Sequence, residues 1–186
     1  MTDPAAKNSS RSARSNGLER AVSDQTFAQF AEAILTGLHE SLMSFEAPAK
    51  TGDSDAVHDM RVTSRRMRVA LSNFATCLPR DYRKGIRAGL STLADTLGRV
   101  RDLDVMLEEI NRILPDQPAS RRPTIEKLKG RVRTRRKFHF KRLIEYLASA
   151  EYRALKAQLK LIPVKIGEVV QEKNGEGAQS QKNSAA

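Results

Sequence analysis

Three features of the sequence predict an all-α fold, an antiparallel four-helix bundle with a short fifth helix and flexible termini. Apolar residues recur at steps of three and four in four separate stretches, the period of one helix face. Proline and glycine gather at a few breaks between those stretches. Aromatics are only 5% of the chain and tryptophan is absent, while Ala, Leu, Arg, Glu and Lys abound, a composition that favours helices. At 186 residues there is room for one cored domain with tails. The boundaries read as a tail over 1–23, a bundle over 24–162 and a second tail over 163–186.

Met1–Ser23 is rich in Ser, Ala, Asn and Arg and carries no period, so it reads as a flexible tail. Its Lys7, Arg11 and Arg14 are followed by no apolar run that would make a signal peptide. The first helix is expected over Asp24–Phe45, capped by Ser23 or Asp24. Phe27, Phe30, Ile34, Leu38, Leu42 and Phe45 form its stripe, with His39 at the boundary. Ala47–Asp53 is expected to be a loop because of Pro48 and Gly52, with Ser54 or Asp55 capping the next helix.

Val57–Leu78 carries two stripes. Met60, Met67, Leu71, Phe74 and Leu78 make an ordinary buried face. His58, Arg61, Arg65 and Arg68 line up roughly 130° round the same helix. Asp59 is the only counter-charge inside the stretch, so the row suits a polyanion lying alongside it. Pro79 ends this helix and Asp81 can open another.

In the third helix Ile86, Leu90, Leu93, Leu97, Val100 and Leu107 hold a stripe to about Leu114. Asp104 falls inside that stripe, with Arg101 on its edge. An unpaired charge there costs several kcal/mol to desolvate. Asp104 therefore needs a cationic partner, and the arginine row of the preceding helix is the obvious source. Asp102 and Asp104 are accordingly read as structural braces, and Gly98 as a point where another backbone approaches closely.

Pro115–Pro123 is the next break. The helix expected over Thr124–Leu147 has Ile125, Leu128, Val132, Leu143 and Tyr146 on one side, but Arg135, Arg136 and His139 interrupt that side. Eleven lysines and arginines lie between Arg121 and Arg142 against Glu126 alone. So much like charge repels itself unless an anion neutralises it. A short helix is expected over Glu151–Leu161, with Tyr152, Leu155 and Leu159 as its apolar residues, stopped by Pro163.

The formal charge of +11 and a pI near 10.1 point to a polyanionic partner: nucleic acid, an acidic membrane surface or a phosphate polymer. Cys77 is the only cysteine, so no internal disulfide can form, which suits the cytoplasm. Neither CxxC nor HxxxH spacing occurs, and no metal or other cofactor is expected. No stretch approaches the roughly 20 apolar residues needed to span a bilayer.

VHDMRVTSRRMRVAL (Val57–Leu71) followed by LGRVRDLDVML (Leu97–Leu107) resembles the conserved-histidine α-helical domain, or CHAD, family. RRKFHFKRLIEYLASAEYRALKAQL (Arg135–Leu159) is similar to that family's next helices, so the resemblance covers about Ser23–Leu161. It implies antiparallel four-helix bundles with a basic groove, binding of inorganic polyphosphate and association with polyphosphate granules. His58, Arg61, Arg65, Arg66 and Arg68 match the first motif; Arg99, Arg101, Asp102 and Asp104 match the second. Arg135, Arg136 and His139 join the expected binding set. The family usually carries two related bundles in tandem, whereas this chain has the motifs for one. Two copies pairing as a homodimer are expected to rebuild the groove.

Three functions compete for these residues. Non-catalytic polyphosphate binding needs only a row of guanidinium and ammonium donors. Nucleic-acid binding fits the charge equally well but lacks obvious stacking platforms, since the aromatics mostly fall on apolar stripes. An enzyme of phosphoryl transfer would want clustered carboxylates or a glycine-rich phosphate loop. Asp102 and Asp104 lie about 200° apart on a helix and cannot readily share an ion, so no catalytic residue is assigned. The expectation is polyphosphate binding, with nucleic-acid binding as the alternative.

Overall fold

The computed structural model describes residues 27–172, which are helical throughout apart from short connections, with no strand among them. The helices are α1 (Phe27–Ser44), α2 (Glu46–Thr51), α3 (Ser54–Asn73), α4 (Arg80–Ile113), α5 (Arg122–Leu147), α6 (Ala150–Lys160) and α7 (residues 162–172). Tight 3-10 turns at Ala75–Cys77 and Leu114–Asp116 join α3 to α4 and α4 to α5. The tail expected over 1–23, the candidate caps Ser23 and Asp24, and the last residues of the second tail lie outside the described residues.

The 34 residues of α4 make it the spine, about 50 Å long at 1.5 Å per residue. Helix α3 runs antiparallel along one side of it. Ser54 meets Glu108 at 3.4 Å, Arg61 lies beside Gly98, and Arg87 donates to Ser72. Helix α5 runs antiparallel along the other side, with Arg136 on Asp104 and the Tyr146 hydroxyl donating to Gly89 O at 3.3 Å. Helix α1 lies on α3. Helix α6 continues past the first turns of α4, where Leu155 packs on Gly89 and the Tyr82 hydroxyl donates to Gln158 O. Burial raises the pKa of Tyr82 to about 12, so it remains a donor across the ordinary pH range.

The expected apolar faces of α3 and α4 are buried: Met60, Met67, Leu71, Phe74 and Leu78 against Ile86, Leu90, Leu93, Leu97 and Val100. In α1 the buried face is turned slightly from the expected one. Ala31, Leu35 and Leu42 go inside, while Phe27 and Ile34 remain exposed at the edge of a groove towards α3. A separate small cluster, Leu103, Ile110 and Val132 with Leu107 and Ile125, joins the second half of α4 to the first half of α5. There α5 packs on α4, and Leu128 stays exposed despite its place in the stripe.

Three expectations about breaks are corrected. Residues 47–51, expected in a loop, belong to α2, because proline is tolerated in a helix's first turn and Pro48 stands there. Gly52 ends it with φ of 90°, a backbone shape that favours glycine, and a β-carbon there would meet Phe140 at 3.4 Å. The α3 cap is neither Ser54 nor Asp55 but Asp53, whose Oδ1 accepts from the N–H groups of Asp55 (2.9 Å) and Ala56 (3.0 Å). Pro163 stops α6 only to sit in the first turn of α7, and Ile162 and Ile166 are both buried. The packed chain therefore continues beyond 162, and residues 163–172 belong to it.

The carboxylate of Glu46 ties α2 to α6. It accepts from the Tyr152 hydroxyl at 3.2 Å and from Lys156 at 3.0 Å, and pairs with Lys50. Burial acts to raise its pKa, but hydrogen bonds from Lys50 and Lys156 outweigh this and hold it below the usual glutamate value. Tyr152 is fully buried, and its ring also lies under the Lys156 ammonium, 5.1 Å from the ring centre.

Candidate functional site

Helix α3 turns its apolar residues inward, and Arg61 of its arginine row falls at the seam with α4. Arg61 and Arg65 are exposed, Arg68 and His58 half-buried. Arg61 and Arg68 lie within about 20° of each other, and Arg65 about 40° from Arg61. A β-carbon on the buried Gly98 would stand 3.5 Å from Arg61 Nε. What approaches Gly98 is therefore a guanidinium from α3, not the backbone expected from the sequence. None of Arg61, Arg65 and Arg68 is in an ion pair among the described residues, and neither is Asp59. The Nδ1 atom of His58 is buried without a hydrogen-bond partner.

Arg66 is not part of this seam. It lies about 140° round from Arg61. With Arg65 it lines a groove of about 900 Å³ between α1 and α3 whose walls include Phe30, Ile34, Val62 and Val69. Like its neighbours, Arg66 has no ion pair among the described residues.

A second basic surface lies on the other flank of α4. The pKa of His139 is lowered, first by desolvation and then by the charges of Arg99, Arg135 and Arg142. Arg99 comes from α4 and the other three from α5, so the two helices share this patch. Lys127, Arg131, Arg135 and His139 line a cavity of about 720 Å³ with Phe138 and no acidic residue. Arg142 stacks over the exposed Phe138, 6.0 Å from its ring centre. Arg99 and Arg135 have no ion pair among the described residues.

Two expected ligand-binding arginines are engaged within the protein instead. Arg136 donates through Nε and Nη2 to both carboxylate oxygens of Asp104, and through Nη2 to Gly52 O at 3.1 Å. Its guanidinium also lies over Phe140, 5.6 Å from the ring centre. Asp104 is 5% exposed, as its place in the stripe requires. Its partner, however, comes from α5 and not from the row on α3. Arg101 pairs with Glu108 at 2.7 Å and reaches Ser54 at 3.4 Å, so its charge is locally balanced. Asp102 is exposed and joins no ion pair among the described residues, which removes it as a brace.

A third basic group, Arg80, Arg83, Lys84 and Arg87, was not expected, although its spacing of three, one and three residues puts all four on one face of α4. The same criterion that marks the α3 row would mark it. No helix of the described residues is long and apolar enough to cross a membrane. A protein-family model described as the CHAD domain matches residues 33–181. No curated protein and no solved structure gives a significant match.

Proposed function

The chain belongs to the CHAD domain family, whose members are associated with polyphosphate, and on that basis we propose that it binds inorganic polyphosphate without catalysis. The observation that carries this reading is the set of arginines without acidic partners among the described residues. Arg61, Arg65 and Arg68 with His58 lie on one flank of α4, and Arg99 and Arg135 with His139 on the other. Such groups lose nothing internal when a phosphate approaches. Arginine offers each phosphate a planar fork for two oxygens, and the released counterions make binding steeply salt-dependent. Arg66 belongs to the same proposal as a contact on the α1 side, where it lines the groove together with Arg65.

Because the chain has one copy of the paired motifs, two copies about a dyad would bring two such surfaces together and complete a groove. Association of this kind would also bring the protein to cytoplasmic polyphosphate granules. The alternative partner, nucleic acid, is favoured only by Phe138, exposed beside the α5 cavity where a base could stack. Competition decides between them. Long-chain polyphosphate is expected to displace bound duplex DNA or RNA, and nucleic acid to fail to displace polyphosphate; the reverse order would favour the nucleic-acid reading. Light scattering on the same samples is expected to give twice the chain mass, and a monomer with ligand bound would refute the dyad.

His139 supplies an internal reporter. In the free protein its pKa is held below 6.5. A bound phosphate offsets the neighbouring arginine charges and raises that value. Binding then takes up a proton between the free and bound values, so affinity increases as pH falls through that window. Imidazole NMR titration with and without polyphosphate measures the shift; an unmoved pKa would remove His139 from the site.

A further inference from the structure

We propose that the cleft between the end of α3 and the first two turns of α4 is a separate pocket for a compact phosphate group, a terminal di- or triphosphate. The cavity there is about 350 Å³, lined by Arg80, Arg83, Lys84 and Arg87 with Ser72 and Ala75. That is a cleft for a compact group and is much smaller than the surface grooves on α3 and α5. The proposal goes beyond the polymer reading, because this pocket requires neither the α3 row nor a second copy.

The pocket's chemistry is one-sided. Four cations share one helix face within two turns, and none is in an ion pair among the described residues. Asp81, the nearest acid in sequence, is exposed and points about 100° away from Arg80. A solvated charge cluster needs no further account when its donors reach water. Here, however, Arg83 Nη1 is buried and has no hydrogen-bond partner. A buried guanidinium nitrogen without an acceptor is costly, and because Arg83 lines the cleft, a turn of its fork towards an anion there would give it one.

The opposite wall is already arranged. Arg87 donates to Ser72 Oγ, which in turn donates to Arg68 O at 3.1 Å. Arg87 is thereby tethered to α3, with less freedom to lose on binding. Ser72 stands one turn beyond Arg68, so the pocket lies where the α3 row ends. A phosphate chain following that row would deliver its terminus here, where the extra negative charge of an end group meets four cations on one helix face. A free short oligophosphate presents the same chemistry.

Calorimetry on the full chain with inorganic tripolyphosphate tests this. Saturable binding at one site per chain is expected. Arg83→Gln with Arg87→Gln should weaken it by about a hundredfold, at roughly tenfold per lost charged contact. Arg80→Gln with Lys84→Gln changes exposed residues only and should weaken it by about tenfold, which guards against misfolding of the first pair. Absent tripolyphosphate binding, or binding indifferent to both Gln pairs, would overturn the pocket. If long-chain polyphosphate binds and tripolyphosphate does not, the pocket fails while the polymer reading stands. If tripolyphosphate alone binds, the pocket stands and the polymer reading fails. Long chains with blocked and free ends separate the two sources. Sensitivity of free-ended chains alone to Arg83→Gln with Arg87→Gln assigns the pocket to chain ends, and sensitivity of neither assigns it to free oligophosphates.

Discussion

Replacing Arg61, Arg65 and Arg68 together by alanine is expected to lower affinity for long-chain polyphosphate by about three orders of magnitude, taking roughly tenfold for each charged contact. The three share a narrow sector of α3 and none is balanced by a carboxylate among the described residues, so the loss falls on the ligand and not on an internal ion pair. Far-UV circular dichroism should be unchanged, because Arg61 and Arg65 are exposed, Arg68 is half-buried, and alanine is the best helix former. The dependence of affinity on salt should also flatten, by a slope of roughly 2 for three phosphate contacts by analogy with single-stranded polyanions. Titration at several salt concentrations reads both effects. Wild-type affinity in the triple variant would remove α3 from the site.

Asp104→Ala is expected to cost about 2–4 kcal/mol of folding stability, measured by urea denaturation, as for breaking a buried ion pair with one partner partly exposed. Asp104 is almost fully buried, whereas the Arg136 side chain keeps 21% of its exposure. Removing the carboxylate leaves that guanidinium with Gly52 O and the Phe140 ring as its remaining partners. The stability loss should shrink when Arg136→Met is added, since no half-buried charge is then stranded. The pair's coupling energy should come out at about 1–3 kcal/mol. A single variant as stable as wild type would show that the pair contributes little. Polyphosphate affinity separates brace from ligand contact: Arg136→Met should change it far less than the α3 triple substitution does.

Much of this arrangement is legible in the residue order. The stripe through Ile86, Leu93 and Val100 marks the inner side of α4, and Asp104 stands out as a buried acid in need of a cation. The identity of that cation is not legible. Asp104 is six residues from Gly98 and therefore about 120° round α4 from it. Gly98 faces the α3 row, so Asp104 must look elsewhere, and α5 is what lies there. Pro48 and Pro163 mislead for a related reason. Proline excludes a helix interior but fits a first turn, and which of the two it occupies depends on whether the following residues find something to pack on. Ala49 and Ile166 both do.

Residue order alone suffices to show that the chain is helical, where its four long helices run, which faces go inside, and that positive charge is far in surplus. Helical period and composition carry each of these, because they are properties of single segments. Which cations are engaged inside the protein, and which are left for a ligand, emerges only once the helices are packed. Arg136 and Arg101 are occupied by Asp104 and Glu108, Arg66 is turned towards α1, and Arg83 is buried without a partner in a cleft of its own. A side chain's direction from its helix axis follows from its position in the chain. What stands opposite it follows from which helices are neighbours, and at what level.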